Sequence, residues 1–496
     1  MIKRSSGILL PIFSLPSKYG IGCFDDCAYK FVDLLKEAGQ TYWQLLPLCP
    51  TSYGDSPYQS FSTFAGNPYF ISLDALIKEG WLTEEECKAA DMGSNPESID
   101  YHKLYESRFK LLHSAYERAD LSSSPEFESF CGSSGWLDDY ALFMALKDKF
   151  GGVEFTKWDD DIRLRKPEVL KKYTDELSDD IKFQKFMQFC FDKQWNELKQ
   201  YANDNGIKII GDIPIYVAAD SADAWSAPDL FELDENGIPT AVAGCPPDAF
   251  TEDGQLWGNP LYNWERHKET GYKWWISRLE HCFKLYDVVR IDHFRGFDEY
   301  WSVPYGEETA RNGEWLKGPG YELFKAIKDA LGERDVIAED LGFMTDSVKQ
   351  LVSDCGFPNM KILEFAFDLN DTEGKNDYLP HNYGENCVAY TGTHDNQTLA
   401  AWFQTISSGE RKKVRRYIFD EYTPNKKLNK PLIALLMRSH ANMCIIPMQD
   451  WLGLDDRSRI NIPSTVGGNW KWRMKPENMS DKLFKEIRSM TSLYGR

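Results

Sequence analysis

Short apolar runs that recur along the whole chain, separated by helical patterns, constrain its fold more than any other feature. About eight of these runs are continuous rather than alternating in hydrophobicity, which is typical of strands buried on both faces. They span residues 41–48, 67–73, 208–217, 286–294, 335–342, 360–368, 387–395 and 443–453. Between most of them lie helical patterns, as at 321–331 and 345–354. The sequence therefore predicts an α/β fold, namely a parallel (β/α)8 TIM barrel.

Two long segments interrupt this alternation. Residues 74–195 have mainly helical patterns, and Thr83 and Glu86 within them have the spacing of a capping box. Residues 218–281 begin instead with a stretch dense in Gly, Pro, Asp and Trp, and long structured loops at a barrel mouth are usually binding walls. We expect one catalytic barrel over residues 1–496, with a helical insertion subdomain in the first segment and a loop-rich active-site wall in the second.

The charge balance excludes two classes of partner. The chain has 57 Lys and Arg against 77 Asp and Glu, a formal net charge of −20. Such a surface repels nucleic acid and anionic membranes, so we expect neither as a partner. No apolar stretch approaches the ~20 residues that span a bilayer, and the first residues do not form a signal-peptide pattern. We expect a cytoplasmic protein, and the sequence leaves its oligomeric state open.

Acidic residues lie late in several of the predicted strands. Asp292, Glu339 and Asp395 are the clearest cases, and the carboxyl ends of barrel strands hold the active site. If they converge, one carboxylate can attack an acetal carbon while a second, protonated, gives its proton to the leaving oxygen. The third can stabilise the oxocarbenium-like charge. Arg290 points to the same strand face as Asp292 and would keep that carboxylate ionised.

Taken alone, each of these residues also has a structural interpretation. Asp292 could form an ion pair, Glu339 could cap a strand end, and His394 with Asp395 could belong to a turn that contains a core histidine. Their occurrence together at predicted strand ends favours a site.

Aromatic residues flank the same segments. Rings beside carboxylates suit carbohydrate, because sugar rings present apolar C–H faces that stack on aromatic planes. Tyr58 and Trp257 are the strongest candidates, since they lie in loops rich in Gly and Pro. The full set is Tyr53, Tyr58, Phe61, Phe64, Tyr216, Trp225, Trp257, Tyr262 and Trp264.

Several long motifs resemble those of the 4-α-glucanotransferases, also called amylomaltases or disproportionating enzymes, of glycoside hydrolase family 77. They occur in the family's order at residues 54–73, 206–225, 254–264, 288–297, 337–342, 390–396 and 467–473. The resemblance implies a (β/α)8 barrel with inserted subdomains and no C-terminal β-sandwich. It also implies an enzyme that breaks an α-1,4 link of a donor glucan, holds the glycosyl unit covalently, and passes it to the 4-hydroxyl of an acceptor glucan or glucose.

The matching motifs also imply residue roles. Asp292 in RIDHFRG resembles the nucleophile, Glu339 in AEDLG the general acid/base, and Asp395 in THDN the transition-state stabiliser. Positions that resemble glucan contacts are Arg290, His394, Tyr58, Ser56, Asp212, Trp257 and, at a secondary glucan site, Tyr53. Maltose and maltooligosaccharides are the implied ligands, with no cofactor and no metal.

The chain departs from the family pattern in a few places. In the mouth loop, Cys245 and Ala249 stand where we expect Val and an aromatic residue. Residues 460–465 read INIPST, which departs from the usual family motif at that place. Gln397 stands where family members frequently have an acidic residue. These positions bear on glucan length preference and on the balance between transfer and hydrolysis.

Three alternatives to a glucanotransferase stay open from the sequence. The first is an α-1,4-glucan hydrolase that uses the same carboxylates. The second is a metal-dependent barrel hydrolase with Asp292 and His293, His394 and Asp395, and Asp450 as ligands. The third is a non-catalytic glucan-binding module, which the presence of all three carboxylates disfavours.

Overall fold

The computed structural model describes residues 3–247, 251–342 and 344–496, with all their side chains except that of Tyr53. Over these ranges it contains twelve strands and nineteen α-helices. The strands are β1 (Ser5–Leu9), β2 (Tyr42–Gln44), β3 (Lys208–Pro214), β4 (Ala241–Cys245), β5 (Gln255–Pro260), β6 (Val288–Asp292), β7 (Glu299–Pro304), β8 (Glu314–Lys317), β9 (Val336–Ala338), β10 (Asn359–Ile362), β11 (Cys387–Tyr390) and β12 (Met443–Pro447). The helices are α1 (Asp26–Glu37), α2 (Leu73–Lys78), α3 (Glu84–Ala89), α4 (Tyr101–Arg118), α5 (Pro125–Ser133), α6 (Leu137–Lys149), α7 (Asp160–Arg163), α8 (Pro167–Glu176), α9 (Ser178–Asp204), α10 (Ala222–Ser226), α11 (Trp264–Glu269), α12 (Lys273–Leu285), α13 (Tyr321–Leu331), α14 (Asp346–Cys355), α15 (Leu399–Thr405), α16 (Ser408–Ile418), α17 (Asn429–Met437), α18 (Met448–Leu452) and α19 (Asp481–Leu493).

Eight strands form one parallel sheet in the order β10-β11-β12-β1-β2-β3-β6-β9, which is their chain order around a circle. Its two ends meet where the Ala338 N–H donates to the Pro358 carbonyl at 3.1 Å, between β9 and β10. Most of the connections between consecutive strands carry helices. The predicted (β/α)8 barrel is confirmed.

Alternation along the strands separates an inner layer from an outer one. Buried side chains from all eight strands, among them Leu9, Ile210 and Val288, form one cluster inside the barrel. Their neighbours in the opposite phase, such as Ile209 and Val289, belong to a second cluster that includes the surrounding helices. Inward-facing positions near the carboxyl ends of the strands are therefore the ones that can present polar groups at the mouth.

One of the eight predicted barrel strands is wrong, and one strand of the barrel was not predicted. Residues 67–73 contain a short 3-10 helix, whose start the Asn67 side chain caps by accepting from the Tyr69 N–H. A continuous apolar run is buried in either conformation, so periodicity could not distinguish them. The eighth strand is instead β1, whose Ser-Ser-Gly start gives little strand signal.

Local helix signals were more reliable. The helices predicted at 321–331 and 345–354 are α13 and α14, and the Thr83–Glu86 capping box begins α3. Residues 73–204 consist of the helices α2 to α9 with short connections. β4 and β5 pair with the later strands β7 and β8 in a four-stranded antiparallel sheet, order β5-β4-β7-β8, which the sequence did not reveal.

α9 has 27 residues, yet neither it nor any other helix in the described part of the chain is apolar enough over a sufficient length to span a membrane.

The tight packing of β1 against β2 at Gly7 gives a stability prediction. A Cβ at Gly7 would lie 2.6 Å from both the Cβ and the carbonyl oxygen of Tyr42 on the neighbouring strand. Gly7→Ala should therefore lower the free energy of unfolding by about 1–3 kcal/mol, measured by urea denaturation. The matched control is Gly132→Ala in α5, where nothing lies within 4 Å and the change should be neutral or slightly stabilising. Equal stability of the two variants would contradict the barrel packing.

Candidate active site

The three predicted catalytic carboxylates lie at the carboxyl ends of barrel strands. Asp292 is the last residue of β6, Glu339 follows β9 directly, and Asp395 lies in the turn after β11. Asp292 and Asp395 line a cleft of about 520 Å³ at this end of the barrel. Glu339 is held beside it, because its carboxylate accepts from the N–H of the cleft residue His293 at 2.7 Å. The structure thus brings the three acids to one mouth.

A buried guanidinium links two of the barrel strands beneath this mouth. Nη1 of Arg290 donates to both carboxylate oxygens of Asp212, at 2.7 and 2.6 Å, and Nη2 donates to Oδ1 of Asp292 at 2.9 Å. Arg290 is 3% exposed and Asp212 is fully buried. The hydroxyl of Tyr58 donates to Oδ2 of Asp212 at 2.8 Å. This network fixes the orientation of the Asp292 carboxylate.

Burial raises the pKa values of both Asp292 and Glu339, but by different amounts. Burial raises the pKa of Asp292, while the charge of Arg290 opposes that rise. Burial and the nearby charge of Asp292 raise the pKa of Glu339 further, against the opposing effect of Arg290. When the pair holds one proton, that proton therefore resides on Glu339. The arrangement places an ionised carboxylate beside a protonated one, the combination that glycoside cleavage requires.

A strained turn positions Glu339. His293 has φ 53°, in the left-handed region that residues with a side chain rarely adopt. This conformation accompanies the hydrogen bond from its N–H to Oε2 of Glu339, and the N–H of Leu341 donates to Oε1 at 2.8 Å. Both carboxylate oxygens are held by backbone, so the acid is fixed without another charged side chain. Strain of this kind clusters at functional sites.

Asp395 is held from the opposite side of the cleft. Nδ2 of Asn461 donates to its Oδ1 at 2.6 Å, and Arg459 donates to its backbone carbonyl at 2.6 Å. Nε2 of the buried His394 lies 3.3 Å from its Oδ2. The carboxylate keeps partial exposure to the cleft, with 40% of its side-chain surface accessible. It is therefore oriented but still available to a ligand.

Aromatic rings form the walls of the cleft. Tyr58 stacks on the ring of His394 with 5.1 Å between centroids and 12° between planes, and Trp470 packs against both. On the other wall, Trp257 meets the ring of His293 edge-on at 4.7 Å. Tyr58 and Trp257 are half-buried, so each leaves part of its ring surface to the cleft. These surfaces suit the C–H faces of sugars.

Of the remaining predicted positions, the structure describes Ser56 and Cys245 in full. Ser56 lines the cleft, and its hydroxyl accepts from the Tyr58 N–H at 3.2 Å. Cys245 ends β4 and is half-buried. The side chain of Tyr53 and all of Ala249 lie outside the described residues.

The metal-ligand interpretation gains no support from the geometry. The carboxylate oxygens of Asp450 accept from the Thr391 hydroxyl and the Leu399 N–H, and Asp450 does not line the cleft. The described residues contain no group of three or more His, Cys, Asp or Glu side chains that could hold a metal ion.

Sequence reasoning missed several contributors to the site. Asn461 and Trp470 lie in motifs that the sequence displayed, but nothing in a linear motif indicates that Asn461 contacts Asp395. The backbone N–H groups of His293 and Leu341 carry no side-chain signal at all. These contacts depend on the path of the chain after the strands, which only the structure reveals.

Comparisons with known proteins place the chain in a family. The family model of glycoside hydrolase family 77, described as 4-alpha-glucanotransferase, matches residues 10–480. The 4-alpha-glucanotransferase of Clostridium butyricum is 50% identical over 487 residues, covering 98% of this chain and 99% of that protein. The enzyme of the same name from Streptococcus pneumoniae is 48% identical, covering 100% and 98%.

A solved structure extends the match to three dimensions. The amylomaltase from Streptococcus agalactiae in complex with acarbose has a TM-score of 0.97 and 43% sequence identity, and the match covers 100% of both chains. Because the sequence matches over its whole length and the fold superposes throughout, this chain belongs to the 4-alpha-glucanotransferase family, glycoside hydrolase family 77.

Proposed function

We propose that this chain transfers α-1,4-glucan segments from donor maltooligosaccharides to the 4-hydroxyl of acceptor glucans or glucose by a retaining double displacement. The observation that carries the mechanism is the pair Asp292 and Glu339 at an aromatic-lined cleft, the first held by Arg290 and the second by two backbone N–H groups. Relatives with the 4-alpha-glucanotransferase name favour transfer over the hydrolase alternative.

In the first step, the Asp292 carboxylate attacks the anomeric carbon of the donor. The bond from that carbon to the leaving oxygen breaks, and Glu339 gives its proton to that oxygen, so the reducing-end segment leaves as a neutral alcohol. Positive charge develops on the sugar ring between these states, and Asp395 stabilises it. The product is a glycosyl ester on Asp292.

In the second step, Glu339 works as a base. It takes the proton from the acceptor's 4-hydroxyl as that oxygen attacks the anomeric carbon and the ester bond to Asp292 breaks. Two inversions give net retention of the α-linkage. Transfer prevails over hydrolysis when the acceptor is held by stacking in the cleft and water is displaced.

The other predicted residues divide into contact and positioning roles in this proposal. His394, Tyr58, Ser56 and Trp257 line the cleft and contact glucan. Asp212, for which the resemblance implied a glucan contact, is fully buried, so it acts by holding Arg290 and Tyr58. Arg290 in turn holds the nucleophile. Tyr53 stays a prediction of a secondary glucan contact.

We also propose roles for the two predicted insertions. Residues 218–281 supply Gln255 and Trp257 to the cleft, which supports their role as an active-site wall. Residues 74–195, which are helical in the structure, form a subdomain on the barrel.

Incubation with maltotriose, without added metal, tests the proposed activity. We expect a ladder of longer oligosaccharides together with free glucose, separated by chain length, because transfer disproportionates the substrate. Asp292→Asn is the matched control and should abolish the ladder while leaving glucan binding intact, since only the nucleophile is lost. Maltose and glucose alone would indicate a hydrolase, and turnover by Asp292→Asn would refute the nucleophile assignment.

The protonation states predict a bell-shaped pH dependence of kcat/KM. Burial raises the pKa of Glu339 to about 8, so its acid role is present below that pH and lost as the pH rises through it. Burial raises the pKa of Asp292 to about 6, so its nucleophilic form is lost as the pH falls through that value. Initial rates on maltotriose, measured from below the lower pKa to above the higher one, give both limbs of the profile. The two apparent pKa values belong to the coupled pair of acids.

The control for this profile is Glu339→Gln, measured with a donor whose leaving group needs no proton, such as a glycosyl fluoride. The alkaline limb should disappear in the variant, because the titrating acid is gone. A limb that persists unchanged would assign the alkaline pKa to another group.

A further inference from the structure

A second cavity lies on the outer wall of the barrel, apart from the cleft. It has a volume of about 650 Å³, larger than the cleft, and shares no lining residue with it. We call it the lateral cavity. Its walls come from α9 and α12 of the barrel, from α5 and α6 of the helical segment, from α10, and from the loop that follows β2. It therefore lies where the helical segment meets the barrel.

An aromatic platform forms part of its lining. Phe64 and Trp136 are nearly parallel, with 15° between planes and 6.4 Å between centroids, and Trp274 meets Phe64 edge-on at 6.2 Å. The imidazole of His281 lies 5.6 Å from Phe64 and 5.8 Å from Trp136. All four rings are half-buried and face a space large enough for a sugar unit. Exposed aromatic surface in a cavity is typical of a binding site for a ligand with flat apolar faces.

Hydrogen-bonding groups surround this platform. The lining includes the hydroxyls of Ser133, Ser134 and Ser277, and the side chains of Asp192 and Asn196, which are hydrogen-bonded to each other at 3.0 Å. Hydroxyls, an amide and a carboxylate beside aromatic rings are the groups that recognise a polyhydroxylated ring.

The charge of the lateral cavity excludes anionic ligands. Four acids line it, namely Asp139, Asp192, Asp223 and Glu280, and Asp139 pairs with Arg165. Among the lining residues, Lys284 is the single Lys or Arg. Burial lowers the pKa of His281 to about 4, so its ring adds no positive charge at neutral pH. A phosphate or a nucleic acid would be repelled, whereas a neutral sugar would not.

One loop serves both the cleft and the lateral cavity. The segment after β2 places Tyr58 in the cleft and Phe64 in the lateral cavity. Between them, the N–H of Thr63 donates to Oδ2 of Asp223, another lining residue, at 2.8 Å. The loop is further fixed on the barrel wall, where Gln188 exchanges two hydrogen bonds with the backbone of Gly66. The two sites are thus held in a fixed relation.

We propose that the lateral cavity is a second α-glucan site, which binds a remote part of a long glucan through stacking on Phe64, Trp136 and Trp274. This proposal rests on the proposed function, because binding at a site remote from the cleft affects turnover only when the substrate is a polymer. A chain held at the lateral cavity raises the effective concentration of its other units at the cleft. Short substrates gain nothing from it.

The test uses two variants and a control, each in the full-length protein. Ser277→Trp fills the lateral cavity from the exposed side of α12, and Trp136→Ala removes part of the platform. Ser353→Trp, at an exposed position on α14 that does not line the cavity, is the matched control. Retardation in native gels that contain glycogen measures binding, and KM is measured for long amylose and for maltotriose.

We expect Ser277→Trp and Trp136→Ala to weaken retardation by glycogen and to raise KM for amylose about fivefold or more, with unchanged kinetics on maltotriose. Ser353→Trp should behave as the unsubstituted protein. If Trp136→Ala does not fold, the surface variant Ser277→Trp still decides the matter.

Three results would overturn the proposal. They are absence of retardation of the unsubstituted protein, unchanged amylose kinetics in Ser277→Trp, and equal losses on amylose and maltotriose, which would indicate a structural effect. Failure of the proposed function can be told apart from failure of this proposal. If the proposed function fails, no maltotriose ladder forms. Retardation by glycogen, and its loss in Ser277→Trp, are binding measurements that need no turnover.

Discussion

The buried guanidinium of Arg290 is the interaction on which the rest of the site depends. A charge placed inside a barrel must be compensated, and Asp212 and Asp292 provide that compensation from two adjacent strands. Through Asp212 the network reaches Tyr58, which stacks on His394. Loss of Arg290 would leave the carboxylates of Asp212 and Asp292 without their cation. Hydrogen bonds and ring stacking thus connect Asp292, its orienting groups and one aromatic wall in one network.

This arrangement also accounts for the opposite roles that the proposed mechanism gives to two neighbouring acids. Arg290 contacts Asp292 directly, whereas Glu339 is held by backbone N–H groups and by burial. The difference places the shared proton on Glu339. The same sequence segment, from Arg290 to His293, provides the cation, the proposed nucleophile and the strained turn that holds Glu339.

Much of the barrel, and the positions of Asp292 and Glu339 at the ends of its strands, could be predicted from the sequence because parallel strands leave a strong signal. Such strands are apolar throughout, so a late Asp292 or Glu339 stands out against its own strand. β1 could not be found this way, because its first half is Ser-Ser-Gly, and residues 67–73 are equally apolar without being a strand. Asn461 and the lateral cavity arise from contacts between distant segments, for which no local pattern exists.

The measurement that tests the account most directly is to trap the glycosyl-enzyme. Glu339→Gln treated with a maltooligosaccharyl fluoride should accumulate the covalent intermediate, because fluoride leaves without a proton while the base needed for the second step is missing. Proteolysis and mass spectrometry then locate the glycosyl group. We expect the glycosyl group on the peptide that contains Asp292, at that residue. A glycosyl group on Asp395 or Asp212, or none under conditions where the fluoride is consumed, would contradict it.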